Sequence, residues 1–153
     1  LYVQRLMEGT IDARCYWEHV EHRFGIRIPG DPFAELFNPR WNEPMVRLVN
    51  ALRGKGKRVV VGSNTYGGHW EILRARGFLD IFDACYASHE MGIAKPAGQF
   101  FLHILAKEGV DPGRTFFIDD VPAHVDAAHA IGLHALRYEP FSAADPWFAP
   151  VFT

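Results

Sequence analysis

The hydrophobic residues near the start of the chain recur at helical spacing. Over residues 11–24 they fall on one face of a helix, and Gly25 is a suitable residue to end it. Asp12 directly precedes this run and is predicted to cap the helix. A shorter apolar run at residues 33–37 suggests a second helix, and the stretch 38–44, rich in proline and asparagine, is predicted to be a connector.

From Met45 onward the pattern alternates between helical and extended segments. A helix that begins at Met45 is followed by predicted strands at 58–62, 83–87, 114–118 and 133–137, with predicted helices at 65–76, 97–108 and 121–131 between them. Strands that alternate with helices predict an α/β fold with a parallel sheet. Ligands of such folds bind beyond the carboxyl ends of the strands, so polar residues that follow the strands are the candidate functional residues.

Two adjacent carboxylates, Asp119 and Asp120, follow the apolar strand 114–118. Crowded like charges are unfavourable unless a cation or a shared proton relieves them. Magnesium is the usual cation for a site built from oxygen ligands alone. An acidic turn exposed to solvent is the alternative interpretation.

Small polar residues follow the strand 58–62. Ser63 and Thr65 are each able to cap a helix, and the N–H groups at a helix start attract anions, although an ordinary cap explains the pattern as well. Further along, Lys95 and Pro96 precede the helix 97–108 and place a cation at its start. A solvated surface lysine is the alternative there.

These three signals occur in an order that resembles a known family. Ser63-Asn64, Lys95-Pro96 and Asp119-Asp120 resemble the second, third and fourth motifs of the haloacid dehalogenase (HAD) superfamily. The run 121–133 also resembles the helix and return turn that follow the acidic pair in that family. The resemblance is strong over residues 44–137 and weak over residues 1–43.

The resemblance implies a Rossmann-like parallel sheet with a helical cap. Residues 1–43 would be a partial helical cap, residues 44–139 a HAD-like α/β core that lacks its first strand, and residues 140–153 a C-terminal tail. The family's first motif, Asp-x-Asp, supplies the nucleophile and the general acid/base, but no two aspartates of this chain lie two positions apart. We therefore expect an N-terminally incomplete member, in preference to one that lost its nucleophile, and no catalysis by these 153 residues alone.

The chemistry that the resemblance implies is a magnesium-dependent phosphatase acting on a small phosphomonoester, such as a sugar phosphate, through a phospho-aspartate. Ser63 and Asn64 would hold the phosphoryl oxygens, and Lys95 would contact them and offset the carboxylates. Mg²⁺ would be held by Asp120 with help from Asp119.

Two other functions stay open at this point. A 2-haloacid dehalogenase-like hydrolase shares the fold but uses no magnesium, and the pair Asp119-Asp120 argues against it. A non-catalytic HAD-like binding module fits the absent Asp-x-Asp. A response-regulator receiver is disfavoured, because its acid pair comes first along the chain and its lysine last.

Composition limits the partners. A net charge of −2 and a pI near 6.5 give no electrostatic footprint for nucleic acid or an acidic membrane, and no run of 18 apolar residues is present. Cys15 and Cys85 lie far apart and are predicted to be reduced, part-buried thiols of a cytoplasmic protein. The expected partner is a small phosphorylated substrate. A homodimer is possible, since a core without its first strand would expose unpaired backbone groups.

Overall fold

The computed structural model describes residues 2–139, and the chain divides between Ala94 and Lys95 into two units. Helices alternate with strands that pair in parallel, so the predicted α/β class is confirmed. The predicted tail, residues 140–153, lies outside the described residues. Within the described residues, no helix is long and apolar enough to cross a membrane.

The first unit contains six helices and two strands among its described residues. They are α1 (Tyr2–Met7), α2 (Ala13–Phe24), α3 (Pro32–Leu36), α4 (Glu43–Gly54), β1 (Val60–Ser63), α5 (Gly67–Ala75), β2 (Ala84–Ala87) and α6 (Ser88–Met91). Asp12 caps α2 as predicted, because its carboxylate accepts a hydrogen bond from the Cys15 backbone N–H at 2.7 Å. Gly25 ends α2 in the left-handed conformation, with φ of 64°.

The strands β1 and β2 pair in parallel, with Val60 opposite Ala84 and Ser63 opposite Ala87. The core of this unit is formed by the buried side chains of Leu6, Leu48, Val49, Tyr66 and Trp70. Helix α3 packs against α5, and α1 packs against α6, so the helices of residues 1–43 form one unit with the strands that follow them. The boundary that we predict between residues 43 and 44 stays a prediction.

The second unit begins at Lys95 and has the order helix, strand, helix, strand. Its elements are α7 (Gly98–Glu108), a short 3₁₀ helix (Pro112–Arg114), β3 (Phe116–Asp119), α8 (Pro122–Ala130) and β4 (His134–Arg137). β3 and β4 pair in parallel, and the core is built from Phe100, Phe101, Leu105, Val125 and Ala128. From β3 to β4 the chain runs through a strand, a crossover helix and a parallel strand, as the hydrophobic pattern predicts.

Several expectations at element ends need correction. β1 and β3 begin two residues later than predicted, so Ser63 and Asp119 are the last residues of their strands rather than the residues that follow them. Helix α6 and the 3₁₀ helix were not predicted, since each is too short to show a hydrophobic period. Cys15 is exposed rather than part-buried, and it forms no disulfide.

The predicted capping role of Ser63 and Thr65 is wrong. The N-cap of α5 is Tyr66, and no side chain caps this helix. Thr65 is instead buried, and its backbone N–H donates to the Ser88 hydroxyl group at 2.9 Å. The loop after β1 is therefore held by a buried serine of α6 rather than by its own hydroxyl groups.

Candidate active site

The centre of the second unit's candidate site is an ion pair between Lys95 and Asp119. The Lys95 Nζ atom donates to Asp119 Oδ2 at 2.7 Å, and each side chain is only 8% exposed. The ammonium group also lies 5.6 Å from the ring centroids of both Phe100 and Phe117. Such aromatic faces attract a cation, so the pocket around Lys95 stabilises its charge from two sides.

The other oxygen of Asp119 is held by the start of α8. Asp119 Oδ1 accepts from the Val121 backbone N–H at 2.9 Å, which is the local turn that an aspartate favours with the residue two positions on. The His124 Nδ1 atom lies 3.0 Å from the same oxygen. Because an ionised carboxylate only accepts hydrogen bonds, His124 must donate its Nδ1–H.

These donors keep Asp119 ionised. Burial raises the pKa of the Asp119 carboxyl group, but the hydrogen bonds from Lys95, the Val121 N–H and His124 outweigh it and lower that pKa below its usual value. Asp119 is therefore a fixed negative charge whose two oxygens are both occupied by protein donors.

Asp120 differs from its neighbour in exposure. It follows directly after β3 and its side chain is exposed to solvent. Within residues 2–139, no group of three or more His, Cys, Asp and Glu side chains is arranged to hold a metal ion. Mg²⁺ is usually bound by one or two carboxylates together with water and substrate oxygens, and an exposed carboxylate such as Asp120 fits that donor set. The occupied oxygens of Asp119 suit it to positioning Lys95 better than to binding the ion directly.

Ser63 and Asn64 belong to the first unit. Ser63 ends β1, and both side chains are half-buried. Beside them, the fully buried Ser88 hydroxyl group lies 3.0 Å from the Thr65 carbonyl oxygen and 2.6 Å from that of Met7, in addition to its bond with the Thr65 N–H. Ser88 thus fixes the backbone immediately after Asn64.

The structure brings together Lys95 and Asp119, as the sequence led us to expect, and Asp120 directly follows Asp119 in the chain. Ser88 and the donor role of His124 were missed. Ser88 lies 23 residues from Thr65, so no local pattern pointed to it. A signal for His124 did exist, since Pro122 marks the start of α8 and His124 therefore lies in its first turn, close to the end of β3.

The comparisons with known proteins agree on one family. The model of the haloacid dehalogenase-like hydrolases matches residues 12–132. A sesquiterpene phosphatase of Aspergillus oryzae is 30% identical over 147 residues, covering 84% of this chain and 75% of that protein. A D-ribitol-5-phosphate phosphatase of Bacteroides thetaiotaomicron is 23% identical over 151 residues, covering 93% of this chain and 72% of that protein.

Solved structures agree in fold. A protein described as a predicted HAD-like family hydrolase from Porphyromonas gingivalis superposes with a TM-score of 0.81 at 23% identity, covering 99% of this chain and 77% of that chain. A HAD family enzyme from Bacteroides thetaiotaomicron, in complex with magnesium and inorganic phosphate, has a TM-score of 0.80 at 23% identity, covering 99% of this chain and 79% of that chain. At 23% sequence identity, these superpositions show that the chains share a fold.

Proposed function

The chain belongs to the haloacid dehalogenase-like hydrolase family, and from this premise we propose that it is part of a magnesium-dependent phosphatase. Its substrate would be a small phosphomonoester such as a sugar phosphate. The observation that carries the proposal is the buried ion pair of Lys95 and Asp119. Its aspartate directly precedes Asp120, whose carboxylate is exposed to solvent. The phosphatases of Aspergillus oryzae and Bacteroides thetaiotaomicron that resemble this chain support it.

Lys95 would neutralise the charge of the phosphoryl group. Asp119 and two aromatic rings hold its ammonium group in place before any substrate arrives, so no reorganisation is needed when negative charge develops in the transition state. Because Asp119 is ionised and nearly buried, its charge attracts the Lys95 ammonium group strongly and keeps it in position.

Asp120 would hold the magnesium ion. The bound ion would supply positive charge that offsets the phosphate and the neighbouring carboxylates. Asp119 would keep its two oxygens on Lys95, Val121 and His124, so its part in the metal site would be to orient the end of β3. His124 supplies one of these donors.

Ser63 and Asn64 would hold phosphoryl oxygens. Ser63 ends a parallel strand, where ligands of α/β folds bind, and Ser88 fixes the backbone that follows. The nucleophile would be an aspartate that forms a phospho-aspartate. No Asp-x-Asp occurs in these 153 residues, so that aspartate is not assigned to any residue of this chain. The cytoplasmic location, the homodimer and the cap formed by residues 1–43 stay predictions.

Kinetics on the full-length gene product would test the proposal. We expect it to release phosphate from p-nitrophenyl phosphate and from sugar phosphates with Mg²⁺ and to lose this activity in EDTA. Lys95→Ala should reduce kcat/KM by about two orders of magnitude or more, the scale of one preorganised electrostatic contact. Lys107→Ala, which removes an exposed lysine of α7, is the matched control and should leave kcat/KM unchanged.

Two outcomes would favour the other functions. Halide release from 2-chloropropionate that persists in EDTA would replace the phosphatase with a dehalogenase. Binding of orthovanadate or phosphate without turnover, in the gene product as well as in the 153-residue chain, would instead identify a non-catalytic binding module.

A further inference from the structure

One carboxylate of the first unit, that of Asp31, accepts hydrogen bonds from three helical elements. Asp31 Oδ1 accepts from the Trp17 indole Nε1–H in α2 at 2.9 Å and from the Ala34 backbone N–H in α3 at 3.4 Å. Asp31 Oδ2 accepts from the Tyr66 hydroxyl group at 2.8 Å. Asp31 is the N-cap of α3, and Tyr66 is the N-cap of α5, so this side chain joins α2, α3 and α5 at a single point.

The Tyr66 end of this junction is buried and closely packed. Tyr66 is 2% exposed, and it directly follows Thr65 in the loop after β1. A Cβ atom at Gly68 would lie 2.7 Å from the Tyr66 hydroxyl oxygen, so the glycine is what lets the ring pack over the first turn of α5. Burial and the neighbouring Asp31 raise the pKa of Tyr66, and the hydroxyl group therefore stays protonated and donates.

Further contacts attach residues 31–38 along α5. The His69 Nε2–H donates to the Phe33 carbonyl oxygen at 2.9 Å, and the His69 ring stacks on Phe37 at 3.9 Å between centroids. At the other end of α5, the Arg76 guanidinium group donates to Asn38 Oδ1 at 3.1 Å. Asp31 begins this series and holds α2 through the Trp17 indole, and Phe33 adds ring contacts with Tyr16 and Trp17 of the same helix.

We propose that Asp31 is a positioning residue that fixes α2 and α3 against Tyr66, directly after the segment 63–65, and thereby sets which phosphomonoesters the site admits. The proposal rests on the phosphatase function proposed above. Asp31 lies directly before α3, within residues 1–43, and has no place in the phosphoryl chemistry that we assign to Lys95 and Asp120. Its loss should therefore change the binding of large substrates more than the chemical step.

Hydrogen exchange on the 153-residue chain tests the positioning itself. Asp31→Ala leaves a buried tyrosine hydroxyl group without its acceptor, and a hydrogen bond to a charged group contributes about tenfold or more to such an equilibrium. We expect backbone amides of residues 32–38 to exchange about tenfold faster or more in Asp31→Ala. Asp12→Ala is the matched control, because Asp12 also caps a helix of this segment but bonds only to its own turn. Equal exchange rates in the two variants would overturn the proposal.

If Asp31→Ala unfolds the chain, the milder variants Asp31→Asn and Tyr66→Phe test the same hydrogen bond. Tyr66→Phe removes the hydroxyl donor while it keeps Asp31 and the aromatic ring, and by itself it should speed exchange in residues 32–38. Asp31→Asn removes the charge of the acceptor, and the free-energy effect of the double variant should be smaller than the sum of the two single effects, because both changes act on the same hydrogen bond. Strictly additive effects would contradict the junction.

Kinetics on the full-length gene product test the consequence for substrates. We expect Asp31→Asn to raise KM for a hexose 6-phosphate about fivefold or more, while kcat and the kinetics with acetyl phosphate stay within about twofold. An equal loss of kcat with both substrates would overturn the proposed role. A parent protein without any phosphatase activity would remove the proposed function and this substrate role with it, whereas the exchange experiment would still decide whether Asp31 holds the helices.

Discussion

Lys95 and Asp119 form an ion pair of 2.7 Å in which each side chain is only 8% exposed. The pair joins the segment before α7 to the last residue of β3. Buried charges lose their hydration, so each partner depends on the other far more than two surface charges would. The same contact thus supports the fold of the second unit and prepares a cation for the proposed chemistry.

The first prediction concerns stability. Lys95→Met should lower the free energy of unfolding of the 153-residue chain by about 3–5 kcal/mol, because Asp119 is left as an uncompensated buried charge. The double variant Lys95→Met/Asp119→Asn should recover part of this loss, since no buried charge remains. Urea unfolding followed by circular dichroism measures both values.

The control for this prediction is Lys107→Met, which removes an exposed lysine of the same unit. It should change the free energy of unfolding by no more than about 0.5 kcal/mol. A loss in Lys95→Met as small as that of the control would show that the ion pair contributes little.

The second prediction concerns magnesium. Asp120→Asn should weaken the binding of Mg²⁺ by about tenfold or more, because a charged oxygen ligand becomes neutral. Asp126→Asn, at an exposed position of α8, should bind Mg²⁺ as the parent does. Calorimetric titration with MgCl₂ in the presence of phosphate gives both affinities. Equal affinities in the two variants would remove Asp120 from the metal site.

The third prediction distinguishes hydrogen bonding from volume at His124. His124→Asn keeps a side-chain N–H donor for Asp119 Oδ1 and should retain most of the stability. His124→Leu removes the donor and should cost about 1.5–3 kcal/mol, the value of a hydrogen bond to a charged group. Denaturant unfolding of the two variants side by side is the measurement, and equal losses would assign His124 to packing alone.

Much of the fold follows from local pattern. The alternation of apolar strands and amphipathic helices predicted the α/β class, and polar residues at strand ends marked Ser63 and Asp119. The strand boundaries were displaced, because β1 and β3 are four residues long and their first positions are set by pairing rather than by hydrophobicity. Residues that pair across two strands lie far apart in sequence, and the spacing of hydrophobic residues does not reveal which residues pair.

The junction at Asp31 could not have been predicted in this way. Its partners Trp17 and Tyr66 are 14 and 35 residues away, and each has a sufficient local explanation of its own. Trp17 belongs to the apolar face of α2, and Asp31 is an ordinary helix cap. Side-chain hydrogen bonds between separate elements depend on the tertiary packing, which the spacing of residue types does not encode.

The last prediction follows from the raised pKa of Tyr66. Below pH ~10, where an unfolded tyrosine keeps its proton, the bond to Asp31 should make the parent more stable than Tyr66→Phe by about 1.5–3 kcal/mol. Above pH ~10 the unfolded chain releases this proton and the native state does not, so the contribution of Tyr66 falls as the pH rises. Free energies of unfolding at pH 8 and pH 11 should therefore show the difference between parent and Tyr66→Phe shrinking. Tyr66→Phe keeps the aromatic ring and its packing over Gly68. Every other titrating group is present in both proteins, so its effect cancels in the difference between them. A difference that stays constant between the two pH values would mean that the hydroxyl group of Tyr66 titrates in the native state as freely as in the unfolded chain.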